Sequence, residues 1–159
     1  MTMKTRKALV AGASGTVGRA LALALVESGW AVHGLARFSN PAVREELEAA
    51  GVITHPFDIT RDDPAGLPEA EVVFLEIWDP RCRPERLWPL NFYGIGRLVE
   101  AYAGRADFVN GCTIAVYGKS ASQPDEASPC RPFGEYDRVR YAQERLIDYF
   151  CHVSGSRGI

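Results

Sequence analysis

Nothing in this 159-residue chain approaches the length of a membrane-crossing apolar run, so no transmembrane helix is expected. Charge of one sign is also lacking. The 18 Lys and Arg against 20 Asp and Glu leave a formal net charge of -2, which gives no electrostatic case for nucleic acid or an anionic membrane as partner. The four cysteines, Cys82, Cys112, Cys130 and Cys151, are widely spaced with no C-x-x-C pair. They read as reduced thiols of a cytoplasmic protein, with no zinc or other metal site. Internal repeats and low-complexity segments are missing. The opening MTMKTRKALVAGASG enters a glycine turn too quickly for a signal peptide, which again points to the cytoplasm. What remains is ordinary globular composition, 47% apolar and 24% charged, in a chain of one-domain size that can bury a real core.

The most informative stretch is Lys7 to Leu21, KALVAGASGTVGRAL. A short apolar run, Ala8 to Ala11, suits a buried parallel strand. Gly12, Gly15 and Gly18 follow at G-x-x-G-x-x-G spacing, and an Ala-rich helix runs from Thr16 to about Glu27. Strand, glycine turn and helix in this order are the context of a dinucleotide-binding fingerprint. Gly12 would permit the tight turn, Gly15 the approach of a pyrophosphate, and Gly18 close packing of helix on strand. The free N–H groups and dipole at the helix start would hold the phosphate charge.

Further along, strands are expected at Ala31 to Arg37, Val52 to Phe57, Val72 to Ile77 and Asp107 to Thr113. Helices are expected at Pro41 to Ala50, with Asn40 as N-cap, at Asn91 to Ala103, and from Tyr136 to about Val153. Ile95, Leu98, Val99 and Tyr102 line one face of the second of these. Residues 61–71 have room for one short helix. Trp78 to Pro89 and Ala115 to Gly134, rich in proline, read as loops. Alternating strands and helices predict an α/β fold, a doubly wound parallel sheet of Rossmann type with strand order 3-2-1-4-5. The whole of 1–159 reads as a single NAD(P)-binding domain.

Two constellations carry chemistry. The second strand ends Ala36-Arg37 with no carboxylate, where an acidic residue would bind a ribose 2′-hydroxyl. An Arg there can fork onto a 2′-phosphate instead, which favours NADP, with NAD the alternative. Asp58, after the third strand, would accept a bond from the adenine amino group or cap its own turn. The second constellation is Thr113, at the end of the fifth strand, with Tyr136 and Arg140, four apart on the last helix. A neighbouring cation and an oxidised nicotinamide would lower the phenol's pKa and make Tyr136 a usable acid or base. By spacing alone, an aromatic at the helix start covering the core is the stronger reading of Tyr136.

These segments together resemble the extended short-chain dehydrogenase/reductase family, the group of NAD-dependent epimerases and dehydratases. GASGTVG at Gly12 to Gly18 is similar to its glycine motif, which implies cofactor contacts at Gly12, Ser14, Gly15, Thr16, Val17 and Gly18. Asp58-Ile59-Thr60 is similar to its adenine-side motif, adding Asp58 and Ile59. Asn91-Phe92-Tyr93-Gly94 and Ala115-Val116-Tyr117-Gly118 match two further segments, and Pro132, Tyr136 and Glu144 fall on its P-x-x-x-Y-x-x-x-K-x-x-x-E pattern. The resemblance implies catalytic roles for Thr113, Tyr136 and Arg140. Arg140 stands where the family has a Lys that binds the nicotinamide ribose. Glu76-Ile77-Trp78-Asp79-Pro80 stands where the family has small residues.

The resemblance implies an oxidoreductase, epimerase or dehydratase that transfers hydride at a carbinol or carbonyl carbon of a small-molecule substrate, often a sugar nucleotide. It also implies a homodimer through the helices beginning at Asn91 and Tyr136. The C-terminal substrate lobe of the family is expected to be absent, leaving the outer edge of the fifth strand unpaired. The alternative is a non-catalytic NADP-binding sensor or scaffold.

Overall fold

The computed structural model describes residues 5–79, 83–119 and 123–159. Pro80, Cys82 and the middle of the loop between Ala115 and Gly134 lie outside the described residues. The chain alternates through β1 (Lys7–Ala11), α1 (Thr16–Glu27), β2 (Ala31–Ala36), α2 (Pro41–Ala49), β3 (Ile53–Pro56), β4 (Val72–Leu75), α3 (Pro84–Trp88), α4 (Ile95–Tyr102), β5 (Asp107–Asn110) and α5 (Glu135–Ser154). All neighbouring strands pair parallel, in the order β3-β2-β1-β4-β5. This is the doubly wound order that the alternation predicts.

The strand period of two sorts the core into two layers. Leu9 and Ala11 of β1 join Leu35, Val73, Leu75 and Phe108 beneath Ile95, Leu98, Val99 and Tyr102 of α4 and Ile147 of α5. Val10, between them in sequence, faces the other way with Val32, under Ala22 of α1 and Leu47 of α2. Each such fully buried Leu, Ile or Val contributes about 2 kcal/mol from the apolar surface removed from water. The N-cap is as expected: Asn40 Oδ1 accepts from Ala42 N at 3.1 Å. Among the described residues no helix is long and apolar enough to cross a membrane.

Several boundaries differ from the sequence reading. The stretch expected as loop before Asn91 is helical from Pro84, and it reaches α4 through a π-helical turn at Pro89–Gly94. Proline has no N–H to close an ordinary helical bond, and the widened turn absorbs that gap. Strands β2, β4 and β5 stop at Ala36, Leu75 and Asn110, short of Arg37, Ile77 and Thr113, because the chain there turns out to line a crevice. The stretch after Thr113 holds a 3-10 turn at Ile114–Tyr117, and Pro64–Gly66 forms another. The outer edge of β5, expected to be unpaired, is covered. Phe108 N donates to Arg157 O at 2.8 Å, Asn110 N to Ile159 O at 2.8 Å, and Ile159 N to Phe108 O at 3.0 Å.

Two histidines meet across the sheet. His33 Nδ1 on β2 lies 2.9 Å from His55 Nε2 on β3, so one ring donates and the other accepts. Burial, then the neighbouring His55 and Lys7, hold His33 below the ordinary 6.5, and burial does the same for His55. The folded state therefore binds fewer protons than the unfolded one once pH falls below about 6.5, and stability must drop there. Urea midpoints are expected to decline from about pH 7.5 to about pH 5, and a His33→Gln/His55→Gln double variant to lose most of that slope. A slope unchanged in the double variant would exclude this pair as its source.

Candidate active site

The strand order reverses between β1 and β4, and in open parallel sheets a ligand crevice opens at that point beyond the carboxyl ends. Here it is built on backbone contact. Gly12 has φ +94°, and a Cβ on it would run into the Glu76 carbonyl oxygen at the end of β4. A Cβ on Gly18 would run into the Gly12 carbonyl oxygen. Gly15 is less crowded, its nearest neighbour being Gly12 O, 3.2 Å from the Cβ position. Gly12 N donates to Leu35 O at 2.8 Å and Gly15 N to Gly12 O at 2.9 Å, fixing the turn. Among the described residues no side chain caps α1, and its first turn carries no acidic residue. Its leading N–H groups and positive dipole end are therefore available to an anion.

The crevice has a volume of about 230 Å³. It brings together Gly12, Ser14, Gly15, Arg37, Asp58 and Ile59, with Glu76 and Trp78 added. Val17 lines an adjoining cavity. Thr16 and Gly18 line neither: Thr16 is exposed at the first helical position, and Gly18 is buried as the packing glycine. Arg37 is exposed, while the next residue, Phe38, is buried with φ 48°. The left-handed backbone costs about 1 kcal/mol, offset by sending Phe38 into the core beside Leu47. Arg37 is thereby left facing the crevice. Asp58 Oδ1 accepts from Thr60 Oγ1 at 2.7 Å and from Thr60 N at 3.0 Å, while Oδ2 lies 3.9 Å from Arg61 Nε. The Thr60 hydroxyl bond is the main reason the carboxyl sits below its usual range, with Arg61 and Arg37 reinforcing it. Asp58 thus caps its own turn and lines the crevice as well.

Thr113, Tyr136 and Arg140 converge on one cavity of about 340 Å³, shared with Val17, Glu76, Trp78, Gly111 and Cys112. Thr113 Oγ1 accepts from Ala115 N at 3.3 Å, which leaves its O–H proton free to donate. Tyr136 is half-buried. Its phenol is pushed above its ordinary value by burial, against which the pull of Arg140 is the smaller effect. The expectation that the neighbouring cation lowers this pKa is therefore corrected for the protein alone. Desolvation of the phenolate outweighs the attraction of one guanidinium, whose terminal N–H donors are engaged by other partners.

Those partners are two backbone carbonyls and one side-chain amide. Arg140 is 2% exposed. It donates to the Gly111 carbonyl, to Ile77 O at 3.4 Å and to Gln143 Oε1 at 2.6 Å, and Gln143 Nε2 passes the chain on to Asn110 Oδ1 at 2.7 Å. The guanidinium ties the departing ends of β4 and β5 to α5, and its Nε finds no partner among the described residues. Asn91, expected at the start of a helix, is fully buried in the π-helical turn. Its Nδ2 donates to Leu87 O at 3.0 Å and its Oδ1 is unpartnered among the described residues.

Glu76 is the residue that the sequence reading undervalued. It lines both the crevice and the Tyr136 cavity. Its signal in the sequence is a lone carboxylate closing the apolar run VVFL.

The sequence model of the NAD dependent epimerase/dehydratase family matches residues 8–159, and the chain belongs to that family. Among curated proteins none matches. The fold is shared with solved epimerases. UDP-glucuronic acid 4-epimerase from Bacillus cereus, in complex with NAD, superposes with TM-score 0.83 at 23% identity, over 96% of this chain and 54% of that one. A UDP-galactose 4-epimerase gives TM-score 0.85 at 22% identity over 96% and 54%. UDP-glucose 4-epimerase from Thermotoga maritima, with UDP-glucose, gives 0.82 at 20% over 96% and 53%. The chain thus spans about half the length of these structural relatives.

Removing the Arg140 fork strands two carbonyls and the Gln143 amide oxygen. Arg140→Ala is expected to destabilise the fold by about 3 kcal/mol, and Arg140→Lys to recover only part of that, because one ammonium cannot reproduce the fork. Urea unfolding of the two variants checks this, and a loss below about 1 kcal/mol for the alanine would contradict the strapping role.

Proposed function

We propose that this chain is the cofactor-binding domain of a nicotinamide-dependent oxidoreductase of epimerase or dehydratase type, acting at a carbinol or carbonyl carbon of a small molecule, with nucleotide sugars the leading class. One observation carries the reading: the glycine-turn crevice and the cavity holding Thr113 and Tyr136 adjoin, with Glu76 and Trp78 lining both. The residues fit a dinucleotide, since positions 12 and 18 have no room for a Cβ and α1 begins uncapped. When bound, the cofactor supplies reversible hydride transfer.

In this reading Gly12, Ser14, Gly15 and the amides of Thr16, Val17 and Gly18 hold the pyrophosphate. Asp58 and Ile59 border the adenine. Arg37, exposed at the crevice with no ion pair at bonding distance among the described residues, takes a 2′-phosphate, which supports NADP. The epimerase from Bacillus cereus, by contrast, holds NAD. Tyr136 moves the proton of the substrate hydroxyl, and the Thr113 O–H donates to the same oxygen. Arg140 keeps the ends of β4 and β5 in place beneath them. The free thiols Cys112, Cys130 and Cys151 accord with a reducing cytoplasmic setting. A second reading, a non-catalytic NADP-binding module, draws support from the commitment of Arg140's terminal nitrogens to protein acceptors.

Titration of the purified chain with NADPH and NADH, followed by assay with UDP-hexoses, separates these readings. NADPH is expected to bind more tightly, and Arg37→Ala to weaken it about tenfold with NADH unmoved. Tyr136→Phe is expected to cut turnover at least about a hundredfold while leaving cofactor affinity within about twofold. Cofactor binding without turnover would favour the non-catalytic module, and equal binding of NADPH and NADH would remove the Arg37 role.

We propose a homodimer through α4 and α5, supported by Tyr149 and Val153, 60% and 58% exposed and four residues apart on α5. Sedimentation is expected to give a dimer that Tyr149→Glu shifts to monomer; a monomeric native chain would exclude it.

A further inference from the structure

The Glu76 carboxylate is half-buried between the two cavities and makes no hydrogen bond or ion pair at bonding distance among the described residues. Room for it is made by Gly111, where a Cβ would sit 2.5 Å from Glu76 Oε2. The cation that shares its cavity, Arg140, is turned away onto the Ile77 and Gly111 carbonyls and the Gln143 amide. A carboxylate so placed lacks the partner that would compensate its lost hydration. Burial accordingly raises its pKa, with Arg140 opposing only in second place.

Any ligand reaching from the phosphate-binding turn at Gly12 to Tyr136 passes Glu76, because Glu76 closes the first cavity and opens the second. On the cofactor reading above, on which this inference rests, the part of the dinucleotide lying there is its redox-active ring. That ring is cationic when oxidised and neutral when reduced.

We infer that Glu76 selects the redox state of the bound cofactor, its carboxylate supplying the counter-charge to the oxidised nicotinamide ring and giving the reduced ring nothing in return. An anion in a half-desolvated site discriminates strongly between a cationic and a neutral ligand of the same shape, because water screens the pair poorly there. Specificity of this kind is a difference between two affinities and is visible without turnover.

The experiment is a set of four titrations on the full chain, NADP+ against NADPH and NAD+ against NADH, for the native protein and for Glu76→Gln. The Gln variant is expected to bind the oxidised forms about tenfold more weakly with the reduced forms unchanged. That corresponds to a rise of about 30 mV in the midpoint of the bound couple. Retained binding of the reduced forms reports an intact crevice in the same variant. Glu76→Asp should keep part of the preference. Gly111→Ala, which leaves Glu76 in place and crowds its carboxylate, should lower the preference too. Oxidised and reduced affinities that move together, or that both stay put in Glu76→Gln and Gly111→Ala, overturn the selector role and leave the cofactor reading standing. No binding of any of the four by the native chain overturns the cofactor reading, and this inference with it.

Discussion

At Gly12 three backbones meet with no space for a side chain between them. The turn leaves β1, receives α1 through Gly18, and rests on the carbonyl of Glu76 at the end of β4. Close approach of this kind aims the start of α1 at the crevice and sets the distance between the phosphate-binding amides and whatever follows β4. A methyl group at either glycine would push helix or strand outward and open the switch point of the sheet. The crevice, the position of Glu76 and the neighbouring cavity all inherit their geometry from this contact.

The second constraint lies on the far side of the same opening. Beyond Leu75 and Asn110 the chains of β4 and β5 diverge, and their carbonyls need donors once ladder partners run out. Arg140 supplies them from α5, and Gln143 extends the network to Asn110. A guanidinium is suited to this because its fork reaches several acceptors at once and stays charged when buried. The same choice commits its terminal nitrogens to protein acceptors and leaves the Glu76 carboxylate without an ion pair among the described residues. Arg140, Glu76 and Gly111 together therefore set both the support and the charge of the site.

The residues that line the crevice and those beside them have different local duties. Asp58 caps its own turn through Thr60, Phe38 takes a left-handed backbone to reach the core, and Ile59 is buried with its carbonyl oxygen 2.9 Å from the Cβ position of Gly94. Each duty is structural, yet Arg37 and Asp58 are left lining the same space. The cavity beyond is asymmetric in polarity: Thr113 and Tyr136 offer hydroxyls, while Trp78, 47% exposed, and Val17, 50% exposed, offer apolar surface.

Layering follows from the order of residue types alone. Apolar runs with a period of two and helical stripes with a period near 3.6 are local consequences of which face must leave water. Leu9 and Val10 face opposite sides, and Ile95, Leu98, Val99 and Tyr102 are buried, as that rule requires. The glycine spacing was legible for the same reason, since a positive φ and a missing Cβ are properties of a few adjacent residues. Element ends were less so: Pro84 and Pro89 read as loop, yet Pro84 opens a helix and a π-helical turn carries it on through Pro89, because packing against α4 and α5 stabilises what the second proline opposes. The direction of the Tyr136 shift, the pairing of β5 with Arg157–Ile159, and the engagement of Arg140 by the Ile77 and Gly111 carbonyls depend on groups tens of residues apart. These came from the folded chain, because desolvation and hydrogen-bond partnership are set by what the fold brings near, and spacing along the chain carries no record of it.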